Sequence, residues 1–140
     1  MREINFTVVG KVRGKARPRF ARATGRAYTT KDDKIYEQMV REAYNGSESF
    51  LDTSNPLRAE IDVYHKVPKS YSKKRRLQCL TGGRPTSKPD LDNIAKVILD
   101  SNNGILYKDD SQISELLVRK FYTEEEDHVK VKIKELMIND

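Results

Sequence analysis

Between Pro89 and Asp110 the chain gathers residue types that can handle a phosphate ester: Asp90, Asp92, Lys96, Asp100, Asp109 and Asp110. The stretch opens Lys88-Pro89-Asp90-Leu91-Asp92-Asn93, continues in a helical pattern and ends Lys108-Asp109-Asp110. Asp92, Lys96 and Asp100 recur every four residues, which on a helix sets them along one face. A carboxylate repels phosphate, so acids in a nucleic-acid groove need a cation that inverts the sign. Mg²⁺ does so: it takes carboxylate oxygens, keeps several waters and is commonly shared with substrate phosphates. One or two such ions can activate a water and stabilise the leaving oxygen of a phosphodiester. A third Asp from the 108–110 turn closes the cluster if a short strand over 105–107 returns beside the helix start. The same acids have a plainer reading, with Asp90 and Asp92 as helix caps and Asp109-Asp110 as an ordinary turn.

The charge distribution favours a polyanionic partner. The 140 residues carry 27 Lys and Arg against 21 Asp and Glu, a net charge of +6. Nine basic residues fall between Lys11 and Lys34, and eight between Lys66 and Lys88, the latter with no acid among them. Both segments are broken by Gly and Pro, as phosphate-binding arms are, rather than spread as a uniform solvated surface. Lys15, Arg17 and Arg19 in the first, and Lys73, Lys74, Arg75, Arg76 and Lys88 in the second, are the candidate DNA contacts.

These residues need a scaffold, and the pattern supplies one of α/β (α+β) type: one compact domain with a mixed, mostly antiparallel sheet against two or three helices. Ile4, Phe6 and Val8 alternate with polar neighbours as one face of a strand. A basic arm over 11–34 leads to a helix over 31–45, N-capped by Thr30, with Ile35, Met39 and Ala43 inward and Gly46 ending it. Residues 57–66 alternate Leu57, Ala59, Ile61 and Val63 against polar positions. Tyr71 to Leu80 reads as a short basic helix, stopped by Thr81-Gly82-Gly83-Arg84-Pro85. A helix over 92–102, N-capped by Asp92, puts Leu91, Ile94, Ala95 and Ile98 on a core face and closes at Asn103-Gly104. Residues 112–122 and 128–138 read as an antiparallel hairpin. There is no internal repeat.

Other chemistries lack their parts. Cys79 has no cysteine to pair with and sits in an apolar-flanked helical stretch, which reads as a buried thiol in a reducing compartment. No apolar run approaches the ~20 residues of a membrane span, and Met1-Arg2-Glu3-Ile4 leads into a strand without a signal-peptide core. His65 and His128 lack ligand-spaced companions and read as a strand residue and an exposed turn residue. Asp100 to Gly104 has its glycine one position early for a calcium loop and no closing Glu. No phosphate-binding Gly-Lys-Ser/Thr loop occurs, so no nucleotide cofactor is expected. Of the tyrosines, Tyr28 and Tyr71 adjoin the basic segments.

The order Pro89-Asp90-Leu91-Asp92-Asn93, Lys96, Leu99-Asp100, Asn103-Gly104 and Asp109-Asp110-Ser111-Gln112-Ile113 resembles the signature of the RusA family of Holliday junction resolvases. Gly14-Lys15-Ala16-Arg17-Pro18-Arg19 and the closing strands are also similar, while the region between Asn45 and Arg84 matches only loosely. The resemblance implies a homodimeric endonuclease that uses Mg²⁺, with Mn²⁺ as a substitute, to cut four-way DNA junctions symmetrically in recombination and repair. It implies that Asp90, Asp92 and Asp110 are the metal-binding catalytic carboxylates and Lys96 the functional lysine. Asp100 and Asp109 take supporting places, Asp100 as an ion-pair partner of Lys96. The expected setting is the cytoplasm, with a bacterial or phage gene. Two other readings keep the same residues: a non-catalytic DNA-binding module, and a metal nuclease acting on flaps or other branched nucleic acid.

Overall fold

The computed structural model describes residues 2–15, 25 and 30–137, together with the backbone of 19–20 and 27–28. Four strands form one sheet: β1 (Glu3–Val9), β4 (Leu57–Lys66), β5 (Ile113–Thr123) and β6 (His128–Glu135), in the order β1-β6-β4-β5. A two-residue pair, β2 (Arg19–Phe20) with β3 (Ala27–Tyr28), stands apart from it. Among the described residues three α-helices complete the fold: α1 (Lys31–Ala43), α2 (Lys73–Leu80) and α3 (Leu91–Ser101).

The alternating strands behave as their patterns dictate. Leu57, Ala59, Ile61 and Val63 of β4 are each 0% exposed, and Ile4, Phe6, Val8, Val129, Val131 and Ile133 join them in the core. Tyr36 and Val40 of α1, and Ile94, Val97 and Ile98 of α3, close the core from the helical side. The opposite positions, Asp62, Arg119, Lys130 and Lys132 among them, face away, and Arg119 grips Asp62 through two bonds of 2.8 and 3.0 Å.

Residues 113–123 and 128–135 are both strands, but they are not a hairpin. β4 lies between them, antiparallel to β6 and parallel to β5. The 124–127 connection crosses the end of β4, where Asp127 accepts from the Lys66 N–H at 2.7 Å and its carbonyl accepts from Gly10 N–H at 2.9 Å. Four residues can span two strand spacings, about 10 Å, so a short loop does not force adjacent pairing. A parallel pair requires a long crossover. Here that crossover contains α2 and α3, which places the acid-bearing helix against the sheet.

Four local expectations change. In α1 the buried positions are Tyr36 and Val40, whereas Ile35 is 49% and Met39 38% exposed. The inner face is therefore rotated by one residue, and the helix stops at Tyr44 rather than Gly46. In α3 the N-cap is Asp90, not Asp92, and the helix begins at Leu91, directly after the cis Lys88-Pro89 bond. Residues 105–107 form a turn in which the Ile105 and Leu106 N–H groups both donate to Asn102 O, each at 3.1 Å. Their apolar character reflects a turn folded inward, with Leu106 and Tyr107 buried. His128 begins β6, is 7% exposed, and stacks on Tyr64 at 4.6 Å instead of sitting in an exposed turn.

Other local readings hold. Thr30 caps α1 by accepting from the Asp33 N–H, the basic helix expected over 71–80 is present as Lys73–Leu80, and Cys79 is buried. Gly104 adopts φ +75°, which a side chain would oppose, just past the Asn102 cap of α3. Tyr107 pins this corner, its hydroxyl donating to Leu99 O at 2.5 Å within the core. Tyr107→Phe strands that carbonyl and is expected to lower unfolding free energy by about 1–2 kcal/mol. Urea denaturation should show the lower midpoint with an unchanged slope. Among the described residues, no helix is long and apolar enough to cross a membrane.

Candidate functional site

The spine of the site is α3. Its apolar residues, Ile94, Ala95, Val97, Ile98 and Leu99, point into the core, which leaves Asp92, Lys96 and Asp100 along the outer stripe. Asp92 and Lys96 are exposed, and Asp100 is half-buried. The eight-residue step from Asp92 to Asp100 corresponds to about 12 Å along the axis, with Lys96 midway. At the N-terminal end, Asp90 makes no side-chain capping bond, so its carboxylate is not consumed by the helix. That end borders an open hollow of about 370 Å³ lined by Lys11, Lys15, Lys88 and Asp90.

The C-terminal end is more tightly organised. After the Asn102–Tyr107 turn the chain returns, and the Asp110 N–H donates to Asn103 Oδ1 at 2.7 Å. This sets the Asp110 carboxyl beside that of Asp100. The contact with Asp100, then partial burial, raises the Asp110 pKa above the ordinary carboxylate value. Asp109 is engaged differently. Its Oδ2 accepts from the Ser111 N–H at 2.9 Å, and Gln112 Oε1 accepts from the Asp109 N–H at 3.3 Å, completing a capping box. Hydrogen bonding from Ser111 lowers the Asp109 pKa. Tyr107, beneath the acids, is pushed upward by burial and then by Asp110, Asp100 and Asp109, so its phenol stays protonated as the donor to Leu99.

Lys15 turns inward to this end. Its Nζ lies 3.3 Å from Glu37 Oε1 and 3.6 Å from Asp100 Oδ2, joining α1 to α3. The Lys15 N–H donates to Asn93 O at 2.8 Å. Gly14 is what permits that approach, since a Cβ there would meet Asn93 Cβ at 2.9 Å and Pro89 Cβ at 3.1 Å. Among the described residues Asp100 is thus ion-paired with Lys15 and not, as expected, with Lys96.

The candidate residues therefore occupy two acidic poles of one helix. Asp100 and Asp110 meet, and Asp90 and Asp92 sit at the far end. Among the described residues no three His, Cys, Asp or Glu side chains converge to hold an ion unaided. A hard cation such as Mg²⁺ binds through one or two carboxylates plus waters and substrate phosphates. The all-oxygen Asp100–Asp110 pair fits that requirement. Glu37 was not legible as a site residue: it is one of several charged positions on α1, and no spacing links it to Lys15.

The basic candidates lie around α2. Lys73, Lys74 and Arg75 are exposed, and Arg75 stacks on the Tyr71 ring at 3.6 Å. Arg76 is steadied by a 3.3 Å bond to Pro68 O. Lys88 is exposed next to the α3 start. Arg17 lies outside the described residues, as do the side chains of Arg19 and Tyr28.

The chain is 36% identical over 138 residues, 95% of its own length and 96% of the other, to the uncharacterized protein YqaN of Bacillus subtilis (strain 168). A family model described as Endodeoxyribonuclease RusA matches residues 10–134, which run from the end of β1 almost to the end of β6 and take in every element of the site. The chain belongs to the RusA endodeoxyribonuclease family.

Proposed function

We propose that this protein is a Mg²⁺-dependent endodeoxyribonuclease that resolves four-way DNA junctions by paired symmetric cuts, acting as a homodimer. The observation that carries the reading is the return of the chain after α3, where the Asp110 N–H donates to Asn103 Oδ1 at 2.7 Å and sets Asp110 beside Asp100, in a basic chain of an endodeoxyribonuclease family. Carboxylates gathered in a protein built to meet phosphate are explained by a shared cation.

Asp90, Asp92 and Asp110 are the catalytic carboxylates in this reading, divided between the two ends of α3, with Asp100 supporting Asp110. A cation held at one of these ends would supply a nucleophilic water at neutral pH and neutralise charge on the phosphate. Lys96, one helical turn from both Asp92 and Asp100, offers an ammonium to the developing charge on a phosphate oxygen. Asp109 holds the turn that presents Asp110. Lys73, Lys74, Arg75, Arg76 and Lys88 hold the DNA backbone, with Arg17 and Arg19 on the N-terminal side. Two cuts related by a two-fold axis require two equivalent sites, which a C₂ dimer supplies.

Neutralising Lys74, Arg75 and Arg76 together is expected to weaken junction binding and to reduce the slope of log K against log[salt] by roughly 2–3. Binding titrations between 50 and 200 mM salt measure it, and an unchanged slope removes α2 from the interface.

The deciding experiment uses a synthetic four-way junction labelled on each arm, with and without Mg²⁺, beside linear duplex and a flap substrate. Symmetric paired nicks confined to the junction support the reading. Equal cutting of the flap makes the chain a broader branched-DNA nuclease. Tight binding without cutting in Mg²⁺ or Mn²⁺ makes the acids structural and the chain a DNA-binding module.

A further inference from the structure

The acidic end of α3 already has a cation, and it belongs to the chain. The Lys15 ammonium stands between Glu37 of α1 at 3.3 Å and Asp100 of α3 at 3.6 Å, and Asp100 in turn contacts Asp110. Two carboxylates from separate helices share one positive charge, and a third lies beside them.

Several bonds fix this placement. The Lys15 N–H is held by Asn93 O at 2.8 Å, and Gly14 lies against Asn93 and Pro89. Two residues earlier, Arg13 pairs with Asp33 of α1 at 3.0 Å. The strap carrying Lys15 is thus anchored to both helices on either side of the acids. The Lys15 and Glu37 side chains are 35% and 22% exposed, so the pair is partly shielded from solvent. A lysine meant only for DNA backbone would project outward, and this one is turned toward carboxylates.

We propose that Lys15 is a positioning residue, a tethered counter-cation that competes with a divalent ion for the Asp100–Asp110 carboxylates, while Glu37 holds its ammonium away from them. The inference rests on the reading of these acids as cation donors. An ammonium and a hard divalent ion seek the same oxygens, and side by side they repel. Glu37 provides a second acceptor, so the ammonium can leave Asp100 and remain paired. Lys15 therefore lowers the affinity of the acids for the ion and keeps them neutralised before it arrives, which lets phosphate approach. Glu37 acts in the opposite sense, because without it the ammonium is committed to Asp100.

The test is calorimetric titration of Mg²⁺ into the full chain, without DNA, for Lys15→Met, Glu37→Gln, the double variant and Lys15→Arg. Lys15→Met should bind Mg²⁺ about five- to tenfold tighter, a scale set by removing one nearby charge. Glu37→Gln should bind it about threefold weaker by the same argument. The double variant should match Lys15→Met, and Lys15→Arg should bind no tighter than the native chain. A merely structural strap would move both single variants in one direction, so equal signs overturn the proposal, as does an unchanged affinity in Lys15→Met or a tighter one in Lys15→Arg. Absence of Mg²⁺ binding in every protein overturns this proposal and the metal-nuclease reading together. Normal Mg²⁺ binding untouched by Lys15→Met overturns this one alone.

Discussion

Asp90→Asn, Asp92→Asn and Asp110→Asn proteins should bind four-way junctions at least as tightly as the native chain while cutting them about a thousandfold more slowly. The factor corresponds to the several kcal/mol that a bound cation contributes to phosphoryl chemistry. Binding survives because each change removes a negative charge from the path of the phosphates, relieving repulsion. Fold should survive too, since none of the three side chains is a core residue, and Asp90 makes no capping bond. Asp109→Asn is the internal control. Its side chain caps the turn rather than meeting Asp100, and Asn is a competent cap, so cutting should fall far less. Single-turnover cleavage and gel-shift titration in EDTA separate the two quantities. Binding that falls in step with cutting would assign the acids a structural role.

Gly14→Val should lower cleavage by about a hundredfold, the penalty that a displacement near 1 Å imposes on an aligned site. Even a bare Cβ at Gly14 meets Asn93 and Pro89 at 2.9 and 3.1 Å, and those atoms sit close to the backbone of the α3 start. A branched side chain must lift the strap, break the 2.8 Å bond from the Lys15 N–H to Asn93 and withdraw the ammonium from Asp100. The core beneath remains packed, because Ile94 and Ile98 face away from the strap. Circular dichroism should show a melting temperature lowered by only a few degrees, with cleavage far more affected. A variant that cuts at the native rate would show that the strap has no part in arranging α3.

The strands were legible because alternation has one physical cause, burial of a single face. Leu57, Ala59, Ile61 and Val63 read out that cause directly. Pairing partners were not legible, since β6 shows the same alternation whether its neighbour is β5 or β4. The α1 face was misread by one residue because Ile35 and Met39 are as apolar as Val40, and Tyr36 has a polar tip that disguises a buried ring. In the site, the Asp92, Lys96 and Asp100 stripe followed from helical spacing alone. The meeting of Asp100 with Asp110 required the turn that follows α3, and the Lys15–Glu37 pair required two helices to pack. Contacts of that kind depend on tertiary packing, which local periodicity does not encode.

The sheet order has a consequence for synthesis. Among the described residues β6 follows the other strands in sequence, yet it stands between β1 and β4 and is the sheet partner of β1. Until residues 128–135 have left the ribosome, β1 lacks that partner and β4 has β5 alone of its two neighbours. The nascent chain therefore cannot close its core stepwise from the N-terminus. It must wait for residues 128–135 to insert into the middle, joining elements far apart in sequence in the way that slows folding. A prematurely terminated product lacking this segment would leave β1 unanchored, and with it the strap over α3. The arrangement of the strap over α3 thereby waits on the insertion of β6.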